Sequence, residues 1–122
     1  SPVCPLISPK DVQNALKQFQ KSDCDTLITC EETQMQTFCD AKAVNIDAKS
    51  ELAPTQNNKK VQILNWAVTI WDTKCFINNY KKTGSAYLGK DRLLFPIDPL
   101  HGIKISSEAD FLMVESIMNG LK

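Results

Sequence analysis

Capped helical segments alternate along this chain with short runs of β-branched and aromatic residues, and this alternation limits the fold more than any other feature. Residues 8–11 read Ser-Pro-Lys-Asp: a hydroxyl cap, proline at the first helical position and a carboxylate three residues after the cap. This start predicts a helix over Pro9–Lys21, whose apolar residues recur at helical spacing. Because such helices alternate with strand-like runs, the sequence predicts an α/β fold with a mainly parallel sheet.

Strands are predicted at residues 25–30, 61–71 and 93–97, and the 61–71 run carries the strongest β signal. The pattern weakens over residues 31–60, where only 43–46 resembles a strand, so an excursion at the edge of the sheet is expected there. Three or four strands are few for an α/β domain. We therefore expect a partial sheet, with an edge or a face that another segment or another subunit covers.

Two further helices are predicted after the second and third of these strands. Asp72 is expected to cap the first of them, with Gly84 just past its end. Ser107 and Asp110 are expected to form a capping box at the start of the last helix. The apolar residues of that helix recur at helical spacing and predict a buried stripe of Phe111, Val114, Ile117, Met118 and Leu121.

The bulk properties exclude several classes of function. Fourteen Lys and Arg balance fourteen Asp and Glu, so the chain has no basic field for nucleic acid or an anionic membrane. No apolar run approaches the roughly 20 residues of a membrane span. The five cysteines are odd in number and form no C-x-x-C pair, which favours buried thiols in a reducing compartment. We expect residues 1–122 to form one domain of a cytoplasmic protein.

Three polar residues stand in positions where they could meet a ligand. Asn65 lies inside an apolar strand, where its amide needs hydrogen-bond partners from the protein or from a substrate. His101, the only histidine, lies in a turn at the expected carboxyl end of the sheet, where open α/β sheets bind ligands. It either anchors the turn or contacts a ligand. Lys104 either points outward from an alternating segment or meets an anion.

Two pairs of residues have simpler explanations as well as functional ones. Glu31 and Glu32 follow a predicted strand and could hold a divalent cation, although a solvated pair at a strand exit is the commoner arrangement. Trp66 and Trp71 are most simply core or interface anchors, because large aromatic side chains tend to be buried in such places.

Four short stretches carry a resemblance to a known family. They are Pro2-Val3-Cys4-Pro5-Leu6, Thr55-Gln56-Asn57, Asn65-Trp66-Ala67-Val68 and residues 103–110. In this order and spacing they resemble the P-T-S-P-L, R-Q-D, N-G-A-x and I-D-I-D-T-x-x-D motifs in the C-terminal half of the acylneuraminate cytidylyltransferases, the CMP-sialic acid synthetase family. The resemblance extends over nearly all of the chain.

The resemblance implies a partial doubly wound sheet of the nucleotide-diphospho-sugar transferase type, with a dimerisation excursion. It implies a nucleotidyltransferase that joins an acidic nine-carbon sugar to CMP from CTP, releases pyrophosphate and uses Mg²⁺. It also implies a homodimer, in which the stretch before and around the N-G-A strand forms part of the subunit contact and part of the neighbour's sugar site. The family binds CTP mainly through an N-terminal half that nothing in this chain matches, so we expect the chain alone to be inactive.

The resemblance and the candidate residues together give a predicted substrate site of Gln56, Asn65, His101, Lys104 and Ser106, while no catalytic residue is identified. Gln56 and Asn65 are expected to hydrogen-bond the sugar, and His101 with Lys104 to face its carboxylate or the phosphates. The carboxylates of I-D-I-D are replaced by Lys104 and Ser106, so the expected Mg²⁺ ligands are absent from this stretch. The family's arginines are replaced as well, by Ile7, Thr55 and Ile63.

Two other functions stay open at this point. The lost carboxylates favour a non-catalytic member, in which the scaffold serves as a dimerising or ligand-binding module. Five cysteines in 122 residues suggest a thiol or redox enzyme, although no cysteine is visibly placed beside His101. Chemical labelling of the folded protein separates this last possibility from the others, because buried thiols should stay unmodified.

Overall fold

A computed structural model describes all residues from Ser1 to Lys122. Its elements in chain order are α1 (Pro9–Lys21), β1 (Thr26–Thr33), β2 (Phe38–Cys39), β3 (Lys42–Ala43), a 3-10 turn (Thr55–Asn57), β4 (Val61–Trp71), α2 (Thr73–Thr83), β5 (Arg92–Pro96) and α3 (Glu108–Gly120). The α/β class predicted from the alternating pattern is confirmed at this level.

The sheet is mixed, whereas the sequence predicted a mainly parallel one. Its strand order is β4-β1-β5, with β1 parallel to β5 and antiparallel to β4. Parallel neighbours need a crossover connection, usually a helix, but the excursion between β1 and β4 contains only the β2–β3 hairpin and the 3-10 turn. The chain therefore returns beside β1 in the opposite direction.

Side-chain caps begin each helix where the sequence predicted. At α1 the Ser8 hydroxyl accepts from the Asp11 amide and the Asp11 carboxylate accepts from the Ser8 amide, which completes the capping box. Asp72 caps α2 through the Cys75 amide at 3.0 Å. Only half of the box predicted for α3 forms, because the Asp110 carboxylate accepts from Ser106 N at 2.9 Å and not from the cap residue.

β4 contains a wide irregularity that a continuous strand pattern conceals. Ile28 pairs with Thr69 and Cys30 with Leu64, so residues 65–68 all lie opposite Thr29. Within this bulge Trp66 adopts a φ of 56°, the left-handed region that bulky residues rarely enter. That conformation costs about 1–2 kcal/mol and must be offset by the contacts around it.

The interior of the chain is small. Only 14 of the 122 residues are buried, and the accessible surface is 8750 Å². A compact monomer of 13.7 kDa has an accessible surface of about 6,600 Å². One core cluster joins Cys4, Ala67 and Ile97, with Ile7 and Phe95 packed against it. A large part of the apolar surface is therefore left uncovered by the chain itself.

α3 shows this exposure most clearly and corrects one prediction. Of its expected stripe only Val114 is buried, while Phe111 is 48% and Leu121 70% exposed. The spacing of a stripe identifies an apolar face but does not supply the surface that covers it. None of the three helices combines the length and apolarity that crossing a membrane requires.

The cysteines are also less uniformly buried than predicted. Cys4 and Cys30 are buried, Cys24 and Cys75 are intermediate, and Cys39 is exposed; all five are free thiols. Cys39 lies on the two-residue strand β2, in an edge hairpin that contacts no core.

Candidate functional site

Three of the four stretches that carry the resemblance meet at the carboxyl end of β5. The Cys4 thiol lies 3.8 Å from the backbone oxygen of Asn65 and 4.0 Å from that of Gly102. Close by, the amide of Ile105 donates to Val3 O at 2.8 Å. Segments far apart in the sequence thus form one cluster, which we call the carboxyl-end cluster: Val3, Cys4, Asn65, His101, Gly102 and Ile105.

Thr29 holds the β4 bulge and fixes the Asn65 side chain. The fully buried Thr29 hydroxyl donates to Asn65 Oδ1 at 2.7 Å and accepts from Val68 N at 3.0 Å. Asn65 Oδ1 also accepts from the Ala67 amide at 3.1 Å, so the oxygen and nitrogen of this amide cannot exchange places. The sequence indicated that the Asn65 amide needs hydrogen-bond partners. For its oxygen, the protein itself provides them.

The nitrogen of the same amide has no partner. Asn65 Nδ2 is buried without a hydrogen bond and faces Gly102. A Cβ atom on Gly102 would overlap Nδ2 and lie 2.9 Å from Asn65 Cγ, so only glycine fits here. An unpaired buried amide N–H costs about 1–3 kcal/mol, which makes Nδ2 a donor in need of an acceptor.

His101 contacts the start of α1 and so links its turn to that helix. Its Nδ1 lies 2.7 Å from Asp11 Oδ2, and both side chains are partly exposed. Burial raises the pKa of Asp11, but hydrogen bonds from the Ser8 amide and hydroxyl, and from His101, outweigh it and hold that pKa below its ordinary value. The carboxylate stays charged and orients the ring, which leaves His101 Nε2 as the free nitrogen.

Lys104 and Ser106 follow the cluster on an exposed segment. Lys104 has no carboxylate within ion-pair distance and points outward. Ser106 contributes its amide to Asp110 at 2.9 Å, and its hydroxyl makes no hydrogen bond within the chain. Both residues are exposed, and neither side chain hydrogen-bonds Asn65 or His101.

Gln56 lies apart from the other predicted site residues. The 3-10 turn that contains it is fixed by Gln34, whose amide nitrogen donates to Gln56 O at 2.8 Å and Asn58 O at 2.9 Å. Gln34 directly follows β1 at Thr33, four residues beyond Thr29 and hence about 13 Å further along the strand. Gln56 and Asn65 therefore do not share one pocket in this chain.

No group of three His, Cys, Asp or Glu side chains is arranged to hold a metal ion. Glu31 and Glu32 are neighbours on a strand and point to opposite faces, and Glu32 pairs with Lys60 at 3.5 Å. In the stretch where the resemblance implies Mg²⁺ ligands, the carboxylates are those of Glu108, exposed in the first turn of α3, and Asp110, which accepts from Ser106 N. The residues of this stretch do not fit a hard cation.

Two of the five thiols, those of Cys30 and Cys75, have raised pKa values. Burial, together with the charge of Glu32, raises the pKa of Cys30 to about 11. The hydrogen bond with Asp72 is the main cause that raises the pKa of Cys75. Reactive cysteines have lowered pKa values, so these two thiols are of the unreactive kind.

The sequence interpretation missed a second polar centre, at the amino end of β5. Asp25 is 9% exposed, and its carboxylate accepts from the amides of Lys90 and Asp91 at 3.2 Å. Burial raises the pKa of Asp25, but the hydrogen bonds from Asp91, Thr26, Lys90 and Asn79 outweigh it and lower that pKa. The signal was present in the Gly89-Lys90-Asp91-Arg92 run, a turn followed by charges immediately before a strand.

Comparison with family models, with curated proteins and with solved structures gives no match for this chain.

Proposed function

We propose that this chain is the sugar-binding and subunit-contact half of a nucleotidyltransferase that joins an acidic nine-carbon sugar to CMP. In this proposal the carboxyl-end cluster positions the sugar, and a nucleotide-binding half outside the chain supplies the contacts to CTP. The Lys104 ammonium is the donor for the sugar carboxylate. His101 Nε2 accepts from a sugar hydroxyl, because Nδ1–H already donates to Asp11, and Ser106 adds a hydroxyl nearby. Lys104 supplies charge but cannot replace metal coordination, so any Mg²⁺ ligands belong to the other half.

The convergence of three motif-bearing stretches on one cluster carries the proposal. If the resemblance of Pro2-Val3-Cys4-Pro5-Leu6, of the Asn65 stretch and of residues 103–110 were accidental, nothing would require them to meet. They meet through Cys4, Asn65 and Gly102, at the end of the parallel pair where α/β sheets bind ligands. The unpaired Asn65 Nδ2 adds a buried donor to this cluster.

The uncovered surface supports the subunit contact. Ile63 and Trp71 on β4 are 51% and 39% exposed, and β4 is an edge strand. An edge with exposed apolar residues pairs readily with another chain. Gln56, which lies apart from the Asn65 end, fits a contribution to the site of a neighbouring subunit.

Sugar binding is tested on the chain itself. N-acetylneuraminic acid is titrated into the labelled chain, and the amide resonances of Asn65, His101 and Gly102 are expected to shift in a saturable way. Replacing His101 and Lys104 by alanine together should weaken binding at least tenfold, because the acceptor for the sugar hydroxyl and the cation for the carboxylate are both removed. Lys17→Ala, an exposed lysine on α1, is the matched control and should leave the Kd within twofold. If no acidic nine-carbon sugar in a panel produces a saturable shift, the proposal is contradicted.

Turnover is tested on the longest natural form of the protein. With CTP, Mg²⁺ and the same panel of sugars it should release pyrophosphate, whereas the 122-residue chain alone should release none. If the longer form binds the sugar but releases no pyrophosphate, the result favours the non-catalytic module described next over the enzyme.

The replaced carboxylates favour one alternative, a non-catalytic module that dimerises or binds a ligand on the same scaffold. Lys104 and Ser106 stand where the resemblance implies Mg²⁺ ligands, and both are exposed and free of metal-like geometry. This alternative predicts a dimer in sedimentation velocity and a rise in Tm with sugar or nucleotide, but no turnover in any form.

A further inference from the structure

A polar cavity lies at the opposite end of β5 from the carboxyl-end cluster. Its volume is about 440 Å³ and its lining has no apolar residue: Asn79, Lys82, Thr83, Ser85, Gly89, Lys90 and Arg92. Arg92 pairs with Thr26 and Pro96 with Cys30, so the two ends of β5 are about 13 Å apart. The cavity is therefore separate from the proposed sugar site.

No carboxylate forms an ion pair with the three cations of the cavity. The ion pairs of the chain are Lys60 with Glu32 and His101 with Asp11, which leaves Lys82, Lys90 and Arg92 without a carboxylate within 4.0 Å. The whole chain has equal numbers of acidic and basic residues, yet no acidic side chain lines this cavity. Three unpaired cations around one concavity create a local positive field that attracts anions.

Hydrogen bonds fix the guanidinium group of Arg92 and the loop that precedes it. Arg92 Nε donates to Leu88 O at 2.8 Å and Nη2 to Gly89 O at 3.0 Å, which fixes the guanidinium plane and leaves three of its N–H groups free. Gly89 has a φ of 67° and lies so close to Thr26 and Asp25 that a side chain would overlap them. The charge of Asp25 beneath the loop is engaged by the amides of the loop itself.

Two carbonyl groups near the end of α2, where an anion would be repelled, accept hydrogen bonds from within the chain. The Thr83 hydroxyl donates to Asn79 O at 2.9 Å, and the Gly84 amide donates to Tyr80 O at 2.7 Å. The negative end of the helix is further offset by the lysines of its last turn.

We propose that this cavity binds the phosphate groups of a small anion. The fixed Arg92 fork suits two oxygens of one phosphate, and Lys82 and Lys90 provide mobile point charges for a second. A ligand with two or more phosphate groups therefore binds more tightly than a single phosphate. The site is independent of the proposed sugar site and uses none of its residues.

The probe is inorganic pyrophosphate, titrated into the labelled chain at constant ionic strength. The amides of Gly89, Lys90 and Thr83 are expected to shift in a saturable way, while the resonances of the carboxyl-end cluster stay in place. The Lys82→Ala, Lys90→Ala double variant should raise the Kd at least tenfold. Lys81→Ala, on the same helix but outside the lining, is the matched control and should change the Kd less than twofold.

Two results overturn the proposal: no saturable shift with pyrophosphate, or an equal loss of affinity in Lys81→Ala, which would show a diffuse response to charge. Neither lysine side chain of the double variant makes a hydrogen bond within the chain, so its fold should persist, and an unchanged Tm verifies this. CTP is the second arm. If it displaces pyrophosphate from the same amides, the source of the phosphate groups is a nucleotide; if it does not, the source is the inorganic ion. Both results support the site.

Discussion

The two ends of β5 are organised by different kinds of buried polar residue. At the carboxyl end the neutral hydroxyl of Thr29 holds a backbone bulge and an amide, whereas at the amino end the charged Asp25 holds a loop. Because the Thr29 hydroxyl is neutral, it adds no net charge to the carboxyl end of β5. The groups that this end offers to a ligand are individual hydrogen-bonding groups. A carboxylate that is fully engaged by backbone amides lets cations gather nearby without pairing to it. On this contrast rest the two proposals, an acidic sugar at the carboxyl end and a ligand with several phosphate groups at the amino end.

The largest effect is expected from Asp25→Asn, which tests whether the charge itself holds the amino end. An asparagine keeps the shape but turns an N–H group toward the amide donors of Lys90 and Asp91, so the free energy of unfolding should fall by about 3 kcal/mol. Urea denaturation measures this loss. Asp23→Asn, an exposed neighbour, should stay within about 0.5 kcal/mol. Equal effects for the two variants would show that the charge is not structural.

The same variant has a defined pH dependence. The pKa of Asp25 is lowered in the folded chain, so its contribution to stability is fully present above its unfolded value of about 4 and is lost as the pH falls through the lower folded value. Asp25→Asn should therefore flatten the decrease of Tm below about pH 4. If Tm decreases below about pH 4 as steeply in Asp25→Asn as in the wild type, this assignment is contradicted.

Thr29→Val should be the next largest change and tests the neutral centre. Valine fits the space but leaves Asn65 Oδ1 with one partner fewer and the Val68 amide with none, which should lower the free energy of unfolding by about 2 kcal/mol. Thr69→Val on β4 removes a hydroxyl that makes no hydrogen bond, and it should change stability by less than about 0.5 kcal/mol. Calorimetry of the pair gives the difference directly.

Gly102→Ala probes the close approach of the His101 turn to Asn65. The added methyl group overlaps an amide that is fixed by two hydrogen bonds, so we expect a loss of about 1–2 kcal/mol. The sugar affinity proposed for this end should fall with it. At Gly120 nothing lies within 4 Å, so Gly120→Ala serves as the control and should not destabilise the chain.

The smallest effect is expected from Asp11→Asn, because both partners of the Asp11–His101 contact are partly exposed. The capping box of α1 is weakened and the free energy of unfolding should fall by about 1 kcal/mol at pH 7. Since the folded pKa of Asp11 is lowered, wild type and variant should converge as the pH falls below about 4. Tm values measured from pH 7 to pH 3 check this, and a constant difference across that range would be the contrary result.

The sequence predicted those features that are encoded locally. The bounds of α1 follow from Ser8, Pro9 and Asp11, and the cap of α2 from Asp72, because a cap is formed by residues within one turn of each other. Strand direction is different: the pattern at Val61–Trp71 is the same for a parallel or an antiparallel neighbour, so the mixed sheet could not be read from it. The β4 bulge was hidden for the same reason.

The candidate site was predictable only in part. The need of Asn65 for partners and the position of His101 at a strand end were visible, since an amide in an apolar run and a turn after a strand are local signals. The Thr29 contact joins residues 36 positions apart and the Asp11–His101 contact joins residues 90 apart, so both depend on the tertiary fold. Asp25 was missed because it was predicted only as the first residue of the 25–30 strand, while its amide donors lie 65 and 66 positions further along the chain.

The bulge at residues 65–68 divides the β1–β4 ladder into two blocks. Residues 61–64 pair with one end of β1 and residues 69–71 with the other, and only Thr29 bridges the gap between them. Each block can open without the other, so native-state hydrogen exchange should resolve two groups of amides with separate opening free energies. Strand β4 then behaves as two cooperative units, with Asn65 located where they join.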